Sequence, residues 1–381
     1  MQGIYNAIRY PQLNPSRLRT ALDDLGTSYR NQQHDVLYKQ VGHALARWLY
    51  KPSAFNAPKT VIAEVEKILH VNGWEVSMEN EIRDLIHEVF LDTGKGFHEL
   101  SLYGGNMEEQ DVRSIQSVRE RASLVPSLLA IPPVSAEEAF RERVFNKTNQ
   151  PLLLHGYRPK TPAGQSSARL VVPTGTTVDP KAVAFTDIMD NLCGGVFFAA
   201  LRTRDQLGYA VGCFAQAAIT HNAIHFVVQG ETLNGTSTLA RISDFVQDWI
   251  VSGLGEKDEY VEIDGDNSTT LPFADHFDKA KDAVLKGLEA KHPSMEAKTE
   301  EQETLLLWYR DKLDLPTQHM HAVRNITRED FRATIKTYFG NKSDWRAVAL
   351  DGSEGLDTVT DASLDGWTVC TEEHLDAEDG I

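Results

Sequence analysis

Cysteine is scarce in this 381-residue chain, with Cys193, Cys213 and Cys370 as the whole complement. Three thiols cannot staple a small secreted domain, and their spacing matches no zinc knuckle. Long apolar runs are missing too. No stretch approaches the ~18 residues that cross a bilayer, and the opening MQGIYNAIRYPQLNP has no signal-peptide core. The expectation is therefore a cytoplasmic chain with no membrane partner. Positive charge is short: 38 Lys+Arg against 55 Asp+Glu leave a net charge of −17, which argues against a nucleic-acid partner. Short catalytic signatures are also lacking. The sequence contains no His-Glu-x-x-His, no His-x-x-Glu-His, no Gly-x-Ser-x-Gly elbow and no P-loop. What is present is ordinary for a globular protein, 41% hydrophobic and 24% charged, at a length that suggests two domains.

Periodicity organises the chain. From Asp35 onward, Val36, Leu37, Gln40, Val41, Ala44, Leu45, Trp48 and Leu49 recur at the 3–4 spacing of one buried helix face, ended by Pro52. Further helices are predicted over 58–69 and 79–90, and FHELSLYGG (97–105) reads as a strand stopped by Gly104-Gly105. Residues 121–136 lose periodicity and carry Pro126, Pro132 and Pro133. They read as a linker, or as a surface loop whose Leu128, Leu129 and Ile131 pack against a neighbour.

The second half mixes strands with helices. PLLLHGYRP and ARLVVPTG read as strands, and Asp179-Pro180 opens a helix with Val183, Ile188, Met189, Leu192, Val196, Phe197 and Leu201 on its apolar face. Gly194-Gly195 within it predicts close packing or a break. LGYAVGCFAQ and AIHFVVQGE are strands, the latter alternating Ile224, Phe226 and Val228 against His225, Val227 and Gln229. Helices follow over 238–250, 273–291, 296–312 and 329–339, the last with a Thr327/Asp330 capping pair. EKDEYVEIDGDNSTT reads as an acidic loop, DWRAVAL as a final strand, and the chain from Asp351 as an irregular acidic tail. The pattern predicts an α+β architecture, with helices layered on a sheet.

Few residues stand out chemically. His221 and His225 lie four apart on a strand, about 13 Å, too far to share one ion. In the tail, Cys370, Glu373 and His374 imitate an inverted zinc motif with cysteine in place of its first histidine, and read as a solvated charge run. The segment LRTRDQLGYAV (201–211) is different, setting Arg202, Arg204, Asp205, Gln206 and Tyr209 at a helix-to-strand junction in apolar surroundings. It is either an ordinary helix C-terminus, with cations at the negative dipole end and Gly208 ending the turn, or a site where Arg202 and Tyr209 donate hydrogen bonds to a peptide carbonyl or developing oxyanion.

The run FFAALRTRDQLGYAVGCFAQ, followed by HNAIHFVVQGE, resembles the C-terminal half of the M16 zinc metallopeptidases, the insulinase, pitrilysin and nardilysin group. HELSLYGGNMEEQ is similar to the segment closing the third domain of those proteins, and the helices of 273–339, with NITREDF and RAVAL, to the end of the fourth. The resemblance implies M16 peptidase-like (LuxS/M16-like) domains, with a mostly antiparallel sheet packed against helices. Residues 1–120 would be part of a third domain, 121–136 a linker, 137–350 the fourth domain and 351–381 a tail. It implies that Arg202 and Tyr209 bind substrate, since Arg202, Thr203, Gln206, Leu207, Gly208 and Tyr209 match the family's element, while Arg204 and Asp205 fall at variable, solvent-facing positions. Zinc would be held by an N-terminal half in cis or trans, with none on this chain. Peptides would be the substrates, this chain would close the chamber, and alone it would be inactive. The alternatives are a non-catalytic M16-like scaffold or assembly subunit, or a peptide-binding module without a protease partner.

Overall fold

The protein is described by a computed structural model covering residues 14–32, 34–49, 58–86, 150–217, 221–290, 314–354 and 364–370, with a few positions between 294 and 305. The strand 97–105, the linker 121–136 and the residues Glu373 and His374 lie outside the described residues, as do most of 296–312. Four helices come first: α1 (Pro15–Gln32), α2 (Leu37–Leu49), α3 (Pro58–Leu69) and α4 (Trp74–Ile86). Contacts divide the chain into two units, and α1, α3 and α4 belong to the first. There the buried Gly26 of α1 admits Val65 of α3, and Arg19 pairs with Glu75 at 2.6 Å while lying over the Trp74 ring.

Helix α2 belongs to the second unit, although the sequence boundaries group it with residues 1–120. Its spacing explains why. Leu37, Gln40, Val41, Ala44, Leu45 and Trp48 are all buried, whereas Val36, just before the helix, is 45% exposed. The stripe packs on Leu152, Leu154, Val171, Val348 and Leu350 of the sheet. An amphipathic helix of 13 residues gains most of its stability from such a surface rather than from propensity.

The sheet is built from β1 (Leu152–Pro162), β2 (Ser166–Thr176), β3 (Ala210–Ala217), β4 (His221–Gly230), β7 (Arg346–Glu354) and β8 (Thr368–Cys370), in the order β3-β4-β2-β7-β1-β8. Pairs β3–β4, β4–β2 and β2–β7 are antiparallel, and β7–β1 and β1–β8 are parallel. The fold is α+β with a mostly antiparallel sheet. Side chains alternate across it. Ala168, Leu170 and Val172 of β2 enter the larger core, and Val171 meets α2 on the opposite face.

The larger core is closed by α5 (Pro180–Phe198), α6 (Gly235–Phe245), α7 (Phe273–Glu289), α8 (Leu315–Asn325) and α9 (Arg328–Tyr338). Helix α5 starts at Asp179, whose side chain caps Lys181 N–H, and it runs through Gly194-Gly195 without a break. Together with the π-helical turn after it, this span is long and apolar enough to cross a membrane by composition. Its apolar side chains are instead buried against the sheet, Phe185, Ile188, Met189 and Phe197 completely so. Thr327 caps α9 by accepting from Asp330 N–H, as its position predicts.

Two expectations are corrected. The acidic loop is a hairpin, β5 (Glu259–Asp264) with β6 (Asn267–Pro272), turning at Gly265 with φ +58°. Its Tyr260, Val261 and Ile263 pack on the core, apolar contacts hidden among carboxylates. The chain after Leu350 is not wholly irregular either. β7 continues to Glu354 and β8 adds an edge strand, while Asp351 accepts from Gly235 N–H at 2.7 Å and lies 3.0 Å from His155 Nε2.

Truncating the α2 stripe tests its attachment. Leu45→Ala should cost about 2–5 kcal/mol, on the scale of core leucine truncations, read from the urea midpoint. A loss below about 0.5 kcal/mol would mean that the helix is not part of the core.

Candidate functional site

Helix α5 does not stop at Phe198 but widens into a π-helical turn over Ala199–Arg204, with Asp205 N–H donating five residues back to Ala200 at 2.9 Å. Such turns shift the helix register by one residue and recur at functional sites. Arg202 sits on the exposed side of this turn and has no hydrogen bond or ion pair among the described residues. Its neighbour Leu201 is completely buried and holds the turn on the core.

Arg204 and Asp205, expected to face solvent, are instead a fixed cluster. Asp205 accepts from Arg204 Nε at 2.8 Å and pairs with Arg241 of α6 at 2.6 Å. Burial works against its charge, but the two guanidiniums win and hold the carboxyl below its usual range. The pairs tie the turn to α6.

The helix is reversed by Gln206, which takes the left-handed conformation at φ +51°. Leu207 N–H, just past the reversed residue, then closes back onto Leu201 O at 3.0 Å. The sequence assigns that reversal to Gly208, but Gly208 has another task. A Cβ there would lie 1.9 Å from the carbonyl oxygen of Gln229, and one on Gly230 would lie 1.9 Å from that of Leu207. Two glycines face each other so that the segment can cross the end of β4 in backbone contact. Tyr209 N–H then donates to Gln229 O at 3.1 Å and β3 begins.

Tyr209 is 55% exposed, yet its hydroxyl is oriented. Gln229, almost fully buried, accepts from the N–H of Tyr38 in the first turn of α2 at 2.7 Å. That bond fixes the amide, because a backbone N–H requires the oxygen, so Nε2 must point to and donate to the Tyr209 hydroxyl. The hydroxyl's own hydrogen is left for an external acceptor. Burial, then the nearby Glu231 and Tyr38, push this phenol above its ordinary value, so it stays a neutral donor at neutral pH.

Beside Tyr209 opens a cleft of about 450 Å³ between α2 and the strands β2, β3 and β4. Arg169 lines it. Its Nε donates to His225 Nδ1 at 3.0 Å, its Nη2 to Gln216 at 2.7 Å, and its guanidinium lies 5.1 Å over the Phe214 ring. Burial lowers the Arg169 pKa to about 10, so the cation persists. Burial, and then Arg169 itself, push His225 well below its ordinary value, and the neutral imidazole accepts at Nδ1. His225 also stacks on Phe214 with ring centroids 5.6 Å apart.

The structure therefore places Arg202 on the π-helical turn and Tyr209 on the cleft wall, joined by one short segment. Gln229, Tyr38 and Arg169 were missed in the sequence. A signal existed for Gln229, since the strand alternation puts a long amide on one face with His225. For Tyr38 and Arg169 the contact runs between distant segments. Among the described residues, no group of three or more His, Cys, Asp or Glu side chains is placed to hold a metal ion. Cys370 is buried on β8, and His221 and His225 share β4.

Comparison with known proteins shows what this fold is similar to. The family model described as "PQQ synthase PqqF-like, C-terminal lobe domain 4" matches residues 188–257, which carry the π-helical turn, β3, β4 and α6. A nardilysin-like protein of Arabidopsis thaliana is 21% identical over 292 residues, covering 75% of this chain and 25% of its own length. Pitrilysin superposes with a TM-score of 0.66 at 13% identity, covering 95% of this chain and 34% of that one. A peptidase M16 inactive domain from Pseudomonas fluorescens gives 0.55 at 15% identity, covering 90% and 72%. The chain spans about a quarter of the nardilysin-like relative and a third of pitrilysin. It has the M16 peptidase-like fold and resembles the C-terminal half of that family.

Two measurements test this site. Gly208→Ala should destabilise the protein by about 3 kcal/mol, because the new methyl meets backbone rather than a movable side chain; a neutral result in urea unfolding would refute the close approach. The His225 linkage has a definite sign. Its folded pKa lies below the unfolded value near 6.5, so its contribution is whole above that pH and is lost as pH falls below it. Stability should drop on acidification with a slope approaching about 1.4 kcal/mol per pH unit for this one proton, and His225→Gln should remove that component of the slope. Parallel pH profiles for both proteins between pH 5 and 8 would exclude it.

Proposed function

We propose that this chain, with its M16-type C-terminal fold, is the substrate-recognition and chamber-closing part of an M16-type zinc metalloendopeptidase. In this reading residues 1–120 apart from α2 belong to a third domain, and 137–350, with α2 packed on its sheet, form the fourth. The observation that carries the reading is the pairing, on one short segment, of an exposed cation, Arg202, unpartnered among the described residues, with a Tyr209 hydroxyl whose lone pair is already engaged by Gln229. A peptide lying along this segment presents carbonyl oxygens. Tyr209 supplies a neutral O–H and Arg202 charged N–H groups to them, and both bonds strengthen as negative charge develops on oxygen. Positioning through Gln229 is built before the peptide arrives, so little is lost in reorganising the donor.

None of the described side chains forms a ligand set, and no step through zinc is assigned to them. The metal and a general base belong to an N-terminal M16 half, in cis or in trans. A second reading is favoured by the similarity to an M16 inactive domain: a non-catalytic subunit that keeps the fold for assembly. The two differ in what the site residues do.

The purified chain alone should not cleave an unstructured peptide. Joined or mixed with a zinc-bearing M16 half, it should support chelator-sensitive cleavage, and Arg202→Ala should lower kcat/KM by about 10²-fold, with Tyr209→Phe falling in the same direction. Cleavage by the chain alone would overturn the assignment, and a loss below threefold in Arg202→Ala would overturn it in favour of the assembly role.

A further inference from the structure

The geometry points to a carboxylate-binding subsite in the cleft beside Tyr209, built on Arg169 and taking a peptide's acidic side chain or C-terminal carboxylate. The argument starts from a cation without an anion. Guanidinium groups withdrawn from solvent are normally paired with carboxylates, because burying an uncompensated charge is costly. Arg169 has two partners among the described residues, and both are neutral: the imidazole of His225 and the amide of Gln216. Its orientation is set by these two bonds and by the Phe214 ring beneath it. Its third nitrogen, Nη1, has no partner among the described residues and points toward Gly42, lying 3.5 Å from where a Cβ on that glycine would be.

The rest of the lining fits an anion. Lys39 and His43 stand on the α2 side, and none of the described residues lining the cleft is Asp or Glu. Lys39 has a carboxylate only at 3.9 Å, from Asp35, and its side chain is about half exposed. In a chain of net charge −17, a concave site with cations and no acids on its wall is a local inversion of the surface. Carboxylate suits it better than a bulkier anion, because one planar acceptor can take a free Nη1 N–H while Lys39 engages its other oxygen. The subsite rests on the peptide-recognition reading for the nature of its ligand, and gives that reading a preference: peptides acidic near the bound carbonyl.

Binding by the full chain tests it, independently of proteolysis. A fluorescent unstructured peptide bearing Asp and a free C-terminus is titrated against three analogues: C-terminal amide, Asp→Asn, and both together. The doubly neutral analogue should bind at least tenfold more weakly, and the single replacements show which carboxylate is used. Arg169→Gln should abolish this discrimination, and Lys39→Gln should reduce it about threefold. Equal affinity for charged and neutral peptides overturns the subsite, as does full discrimination retained in Arg169→Gln. Inorganic phosphate that displaces all four peptides alike would show a general anion site and overturn the carboxylate assignment. Should Arg169→Gln fail to fold, Lys39→Glu, on a half-exposed side chain, decides: it must invert or erase the preference. Carboxylate discrimination without any zinc-dependent cleavage on joining an N-terminal half would keep the subsite and discard the peptidase reading. Cleavage that depends on Arg202 but is blind to peptide charge would do the reverse.

Discussion

Where Leu207-Gly208 passes over Gln229-Gly230, two backbones touch with no room for a Cβ on either side. The site is organised from this crossing. Because the segment lies directly on β4, Tyr209 enters the β3–β4 ladder at a fixed register, and its ring stands beside the one buried glutamine that can hold its hydroxyl. The helix behind must end in time, so it widens by a π turn, reverses at Gln206 despite the cost of a left-handed non-glycine residue, and leaves Arg202 outward. The Arg204–Asp205–Arg241 cluster fastens the same corner to α6. Strain, glycine placement and charge pairing all serve one short connection.

The two faces of the sheet divide the work. One carries the aromatic and aliphatic core under α5, where Phe185, Phe197, Phe226 and Trp345 are fully buried. The other is covered only in part by α2. There the apolar contacts of Val41, Ala44 and Leu45 give way toward the helix N-terminus to a polar strip of Gln229, Arg169 and His225. A face left incompletely covered by a helix is where a fold can afford a cleft, and this one borrows its second wall from a segment more than a hundred residues away in sequence.

Charge on this protein is not uniform in meaning. The excess of carboxylates sets a negative overall field, but carboxylates are absent from the described residues lining the cleft and concentrated elsewhere, for instance along the β5–β6 hairpin. The half-buried guanidinium keeps its proton even though burial lowers its pKa to about 10, and it does so beside a histidine forced to stay neutral. A neutral partner orients the cation without quenching it, so the charge remains available to a ligand.

Much of the fold was legible. Helix periodicity gave α2 and α3, the alternation in 223–231 gave β4 with its faces assigned, and the Thr327 cap gave the start of α9, because these depend on near neighbours along the chain. The segment 201–209 was also visible as unusual, and its likeness to a known family lent Arg202 and Tyr209 their roles. What stayed hidden depended on distant partners. The acidic hairpin concealed its apolar contacts, Asp351 looked like the start of a solvated tail although it receives a helix N-terminus, and Gly208 was read as a turn residue when its need for no side chain comes from β4. Sequence determined which residues could carry chemistry and which helix faces were apolar; tertiary structure decided that Gln229 orients Tyr209, that Arg169 is a half-buried cation whose partners among the described residues are neutral, and that α2 belongs to the second unit, because each requires a contact between segments that only folding brings together.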